Sequence, residues 1–89
     1  MKIKKFFGTF MQKQAFKKHY VTIQAYNMSL ARDCMFAHFG AEFMTVYEDI
    51  DGALKDQVER FNLEELTSIQ VIDHGYGSVE YIPIGRIFT

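Results

Sequence analysis

Four side chains in this 89-residue sequence could bind a metal or attack a carbonyl: His19, Cys34, His38 and His74. From His19 it is 15 residues to Cys34 and 19 to His38, and His74 follows 36 residues after His38. Zinc and related ions are usually held by close pairs such as C-x2-C or H-x3-H. This sequence has none, so it predicts no metal and no cofactor. Cys34 and His38 stand four apart, which on a helix puts a thiol beside a potential base. Cys34 fits a small core position equally well, and no oxyanion-hole loop accompanies the pair. Eight carboxylates fall between positions 42 and 65: Glu42, Glu48, Asp49, Asp51, Asp56, Glu59, Glu64 and Glu65. A glycosidase-like pair needs two acids in a shaped cleft with separated pKa values. These acids read instead as a helix surface and turns. Gly75-Tyr76-Gly77 lacks both the G-x-G-x-x-G and the Walker spacing of phosphate loops. No catalytic residue is predicted, and the chain reads as a binding protein rather than an enzyme.

The same residues suit recognition. Glu48, Asp49, Asp51, Asp56 and Glu59 would form a negative patch able to dock on a basic surface. Tyr76, set between two glycines at a loop tip, would be an exposed aromatic contact. Lys4, Lys5, Lys17 and Lys18 lie among Phe6, Phe7, Phe10, Phe16 and Tyr20, an interleaving that resembles single-strand nucleic-acid binders. No RRM signature accompanies it, and the isoelectric point near 6.3 argues against direct nucleic-acid binding. The net charge of −1 conceals an asymmetry. Residues 1–20 carry six lysines and no acid, whereas residues 42–89 carry ten acids against Lys55, Arg60 and Arg86. Two such ends attract each other, within one molecule or between copies, or meet a charged partner.

The elements that must position these groups follow from periodicity. Residues 2–11 read as a strand weakened at Gly8, residues 12–17 as a loop. Residues 18–26 alternate, with Val21, Ile23 and Ala25 on one side and Tyr20, Thr22, Gln24 and Tyr26 on the other. Asn27 suits an N-cap, a helix spans Met28 to Phe39, and Gly40 supplies its stop. Ala31, Cys34, Met35 and His38 share its apolar face, with Leu30 beside them. Residues 42–48 form a third strand. Asp49 caps a second helix over 50–61, whose apolar stripe is Ile50, Leu54, Val58 and Phe61. Leu63 to Leu66 read as a turn or one more helical turn. Residues 67–73 and 78–84 are strands around a His74–Gly77 loop, and Pro83 marks an edge or a strand end. The predicted fold is therefore a single α+β domain over 1–89, ordered β-β-α-β-α-β-β. Its sheet is mainly antiparallel, with both helices packed on one face. The other face would then hold a share of Phe6, Phe10, Tyr20, Tyr26, Tyr47 and Tyr81, a surface for a partner or a second copy.

Composition agrees with one small domain. The chain is 48% hydrophobic and 16% aromatic, too apolar for a disordered segment. One cysteine excludes an internal disulfide and suits a reducing compartment. No apolar run is long enough to span a membrane, and lysines interrupt any signal-peptide core. A cytoplasmic protein with no membrane partner is predicted.

Residues 19–49, HYVTIQAYNMSLARDCMFAHFGAEFMTVYED, resemble small proteins encoded by bacteriophages, and in layout resemble certain small α+β anti-CRISPR proteins. The likeness rests on a strand ending at Ala25, a capped helix with Ala31-Arg32, the Phe39-Gly40 stop and a strand ending at Tyr47. It covers about a third of the chain and marks no functional residue. It implies an accessory protein, in a bacterial host cytoplasm, that blocks a host defence nuclease complex by occupying a surface. Its partner would be a host protein or ribonucleoprotein complex. The alternatives are a small homo-oligomeric structural or regulatory protein, and a direct nucleic-acid binder using the N-terminal lysines.

Overall fold

The computed structural model describes residues 2–10, 18–40 and 43–84. In chain order its elements are β1 (Lys4–Phe10), β2 (His19–Ala25), α1 (Met28–Phe39), β3 (Phe43–Glu48), α2 (Ala53–Phe61), β4 (Glu64–Gly75) and β5 (Ser78–Pro83). The α+β class and the predicted element order both hold. The loop expected over 12–17, including Lys17, lies outside the described residues.

The five strands form one sheet in the order β3-β1-β2-β4-β5. β1 pairs antiparallel with both β2 and β3, and β5 pairs antiparallel with β4. The junction of β2 with β4 is parallel, Ile23 standing opposite Ile69. The sheet is thus mostly antiparallel with one parallel seam.

Alternation assigns the faces. Phe6, Gly8 and Phe10 of β1 share a side with Val21, Ile23 and Ala25 of β2, Val46 of β3, and Ile69 and Val71 of β4. These positions, Gly8 apart, form the main core together with Ala31, Cys34 and Met35 of α1. Lys5, Phe7 and Thr9 turn to the opposite side with Tyr20, Thr22, Gln24 and Tyr47. Phe6, Phe10 and Tyr81, expected to contribute to an open aromatic face, belong to or pack against the α1 core instead. Of the aromatics named for that face, Tyr20 and Tyr47 do lie on the second side, where Tyr47 stacks on the fully buried Phe7 at 5.2 Å between ring centroids.

The second helix does not join α1. Leu54 and Val58 of α2 line a cavity with Lys5 and Tyr20, which are residues of the second side. The reason is topological. The β2–α1–β3 crossover steps one way along the sheet and β3–α2–β4 steps back the other way. Two such crossovers keep the same hand only if their helices lie on opposite faces, and parallel crossovers are nearly always right-handed.

Local chemistry sets the element ends. The Asn27 side chain accepts a 2.9 Å hydrogen bond from the Leu30 N–H, closing the first turn of α1, and Gly40 ends it at φ 62°. α2 starts at Ala53, later than Ile50, because Asp51 and Gly52 take positive φ and turn the chain. Its stripe is only partly covered: Leu54 is buried, while Ile50 and Phe61 are exposed. The segment from Leu63 to Leu66 is not a helical turn. The Glu64 N–H donates to the Lys18 carbonyl at 2.9 Å, and β4 starts there as a 12-residue strand. Leu66 is the extra residue of a bulge between the Tyr20–Glu65 and Val21–Thr67 pairs. The expected four-residue loop tightens to two residues, since Gly75 pairs with Ser78 and only Tyr76 and Gly77 turn.

Candidate functional site

Register fixes which end of the sheet each candidate occupies. β1 begins where β2, β3 and the parallel part of β4 end. Lys4 and Lys5 therefore share one end of the sheet with Glu48, Asp49 and Asp51. β4 runs past its last pairing with β2, Gln24 with Gln70, and continues with β5 as a two-stranded ribbon beyond that same end. Tyr76 is the tip of that ribbon. Lys18 precedes β2 and sits at the opposite end beside Glu64. Asp56 and Glu59 lie along the exposed side of α2. The structure thus gathers Lys4, Lys5, Glu48, Asp49 and Asp51 at one end, with Tyr76 projecting beyond it on the ribbon, and leaves Lys18, Asp56 and Glu59 elsewhere. The described N-terminal lysines do not form one basic stripe.

The hairpin tip is unusual in its backbone. Tyr76 has φ 55°, with Gly75 at 83° and Gly77 at 79°. Positive φ at both turn positions is the pattern of a type I′ turn, which suits Asn-Gly. A tyrosine there is strained, because its Cβ crowds the backbone. Its side chain is fully exposed, so no internal packing offsets that strain. The strands below are braced. The Asp73 carboxylate accepts from the Gly75 N–H at 2.8 Å, and His74 Nε2 meets Glu80 Oε1 at 3.0 Å across the ribbon.

The charges at this end partly neutralise each other. Lys5 Nζ lies 3.7 Å from Asp49 Oδ2, and Asp49 Oδ1 accepts from the Leu54 N–H at 3.1 Å. Asp49 therefore does cap α2, from outside the helix. Asp56 pairs with Arg60 at 3.2 Å, one turn on. Behind the Lys5–Asp49 pair lies an open cavity of about 290 Å³, walled by Lys5, Tyr20, Asp49, Leu54, Lys55 and Val58. Burial, then the nearby Glu65 carboxylate, pushes the Tyr20 phenol above its ordinary pKa. Glu65 is itself held by the Thr22 hydroxyl, which donates at 3.0 Å. Sequence reasoning had no route to Tyr20 and Lys55 as neighbours of Asp49, because it placed α2 on the wrong face.

Cys34 and His38 are adjacent, as their spacing predicts, but in a geometry that does not activate sulfur. His38 Nδ1 lies 3.0 Å from the Cys34 carbonyl oxygen, which can only accept, so this nitrogen carries the proton. The sulfur is 4.0 Å from the same nitrogen. Burial raises the thiol pKa to about 12, so the sulfur stays protonated at neutral pH. Among the described residues no group of three or more His, Cys, Asp or Glu side chains is placed to hold a metal ion, and no helix is long and apolar enough to cross a membrane.

Comparison with protein-family models, with curated proteins and with solved structures finds no match to this chain.

Proposed function

We propose that this chain is a non-enzymatic binding protein that acts by occupying a surface on a macromolecular partner. Its contact region is the sheet end bearing Tyr76, Lys4, Lys5, Glu48, Asp49 and Asp51. One observation carries the reading: a fully exposed tyrosine is held at positive φ on the tip of a braced hairpin. Strain of this kind persists where function uses it, and a rigid aromatic presented to solvent is the side chain that most often anchors an interface. The mixed charges around it would set orientation and encounter rate more than affinity.

The resemblance of residues 19–49 to small phage proteins supports a more specific form. In it the partner is a host protein or ribonucleoprotein complex of a bacterial defence nuclease system, and occupying its surface inhibits it in the host cytoplasm. The test is a pull-down from such a host with tagged protein, alongside phage plating on defended and undefended strains. The expected result is recovery of a defence component and improved plating on the defended strain only, both weakened by Tyr76→Gly. Unchanged plating with no defence component recovered overturns the inhibitor reading.

A further inference from the structure

The sheet has two edges, β3 and β5, and they are not equivalent. Along an antiparallel edge strand, alternate residues turn their N–H and C=O groups inward to the neighbour or outward to solvent. The Ile84 N–H donates to the Ser68 carbonyl at 2.8 Å. Ile82 and Glu80 therefore also face β4, while Pro83, Tyr81 and Val79 face outward. Pro83 breaks no bond to β4 and removes a donor from the open side, a device that blunts an edge.

β3 is blunted less over its second half, by the Glu48 charge on the core side and by the Ile50 N–H on the Glu48 carbonyl. The Asp49 N–H donates to the Lys5 carbonyl at 2.8 Å, so Asp49, Tyr47 and Thr45 face β1, and Glu48 and Val46 turn their backbone groups outward, the Glu48 carbonyl also accepting from the Ile50 N–H at 3.0 Å. No proline, lysine or arginine lies in this stretch. α1 packs over the core face of β3, and α2 lies on the other face of the sheet. A bulge at Met44, between the Thr9–Thr45 and Phe10–Phe43 pairs, ends the regular ladder and leaves Thr45–Asp49 as its usable length.

That length is self-complementary. We propose that β3 adds antiparallel to β3 of a second copy of this chain, about a two-fold axis at Tyr47, making one sheet continuous across both copies. In this register the Val46 carbonyl of each copy accepts from the Glu48 N–H of the other, and the Val46 N–H reaches the second lone pair of the Glu48 carbonyl, the first being held by the Ile50 N–H of the same chain. The two Tyr47 rings meet across the axis on the second face, beside the Phe7 rings that already stack on them. Aromatic pairs at such positions favour strand pairing. Glu48 falls opposite Val46 and Asp49 opposite Thr45, so no like charges stand directly opposite, and the two Glu48 side chains meet only on the diagonal. Tyr47 is part exposed in one copy and would be covered in two. One strand edge is a small contact, which makes a reversible dimer of modest affinity. This pairing shares Glu48 and Asp49 with the proposed contact region, but it does not rest on the inhibitor reading and is tested apart from it.

Sedimentation of the full chain from low to high micromolar concentration tests it, combined with residue-resolved hydrogen exchange. The expected result is a mass that rises from one chain toward two. The Val46 and Glu48 amides should gain protection with that rise, while Tyr47, bonded to β1, stays protected throughout. Glu48→Pro removes an outward donor without breaking a bond to β1, and should keep the native circular dichroism spectrum and remain monomeric. A monomer at every concentration overturns the proposal. So does a dimer in which the Val46 and Glu48 amides exchange as fast as in the monomer, whatever the variant does.

Discussion

Gly8 and Met35 are matched in volume: a Cβ on Gly8 would lie 2.5 Å from Met35 Cε and 2.6 Å from its sulfur. β1 and α1 approach this closely because the strand has no side chain where the helix has a long one. The sequence suggests a weakened strand at Gly8; the structure shows a seat for a buried thioether.

Gly8→Ala therefore overpacks the core and should cost about 1–3 kcal/mol in urea unfolding. Met35→Ala alone leaves a cavity and should cost about 2–5 kcal/mol. The double variant should cost less than the two together, since each change relieves the other. Strict additivity would mean that the two sites do not share space.

Tyr76→Asn restores the residue type the turn prefers. It should raise unfolding free energy by about 0.5–1 kcal/mol, the scale of left-handed strain at a non-glycine residue. The check is the shift in urea midpoint at constant slope. A loss of stability would show that the exposed ring makes a contact that outweighs its backbone strain.

Asp49 holds two partners, the Lys5 ammonium and the Leu54 N–H. Asp49→Ala should cost about 1 kcal/mol through the lost helix cap. Lys5→Ala should change stability by less than about 0.5 kcal/mol, because a half-exposed ion pair is screened by solvent. Thermal melts of both variants in low and high salt separate the two effects, since only the ion pair weakens with salt.

Burial pushes the Cys34 thiol up to about 12 in the folded chain, against about 8.5 for a solvated thiol. A folded pKa above the unfolded one favours folding fully below the lower value, and the contribution disappears as pH rises through the higher. Stability should fall across that alkaline interval, and Cys34→Ala should flatten the fall. In native buffer near pH 8, iodoacetamide should alkylate Cys34 far more slowly than in urea, because thiolate is scarce and the sulfur is buried. Equal rates in both would contradict the buried, protonated thiol.

What was legible in the sequence was local. The Asn27 cap, the Gly40 stop and the Ala31–Cys34–Met35 face of α1 all read directly from spacing, as did the split between Val21 and Tyr20 faces of β2. Positions that depend on strand order did not. The face of α2, and with it the grouping of Asp49 with Tyr20 and Lys55, follows from a crossover direction that no residue pattern encodes. β4 began unrecognised at Glu64 because Glu64 and Glu65 are poor strand formers. A register with β2 and a hydroxyl from Thr22 recruit them into the sheet. The Tyr76 tip was visible as an exposed aromatic between glycines, but its backbone strain was not.

The parallel β2–β4 seam has a kinetic consequence. β1, β2, α1 and β3 assemble from neighbours within the first half of the chain, and β4 with β5 is a local hairpin. The seam, with α1 packed over it, unites them, bringing together residues as distant as Ile23 and Ile69. Closing a loop of that length costs entropy before any contact repays it. The long-range seam is therefore the part of the sheet expected to form late. Substitutions at Val21, Ile23, Ile69 and Val71 should retard refolding in stopped-flow measurements. Changes at the Tyr76 tip should leave the refolding rate untouched.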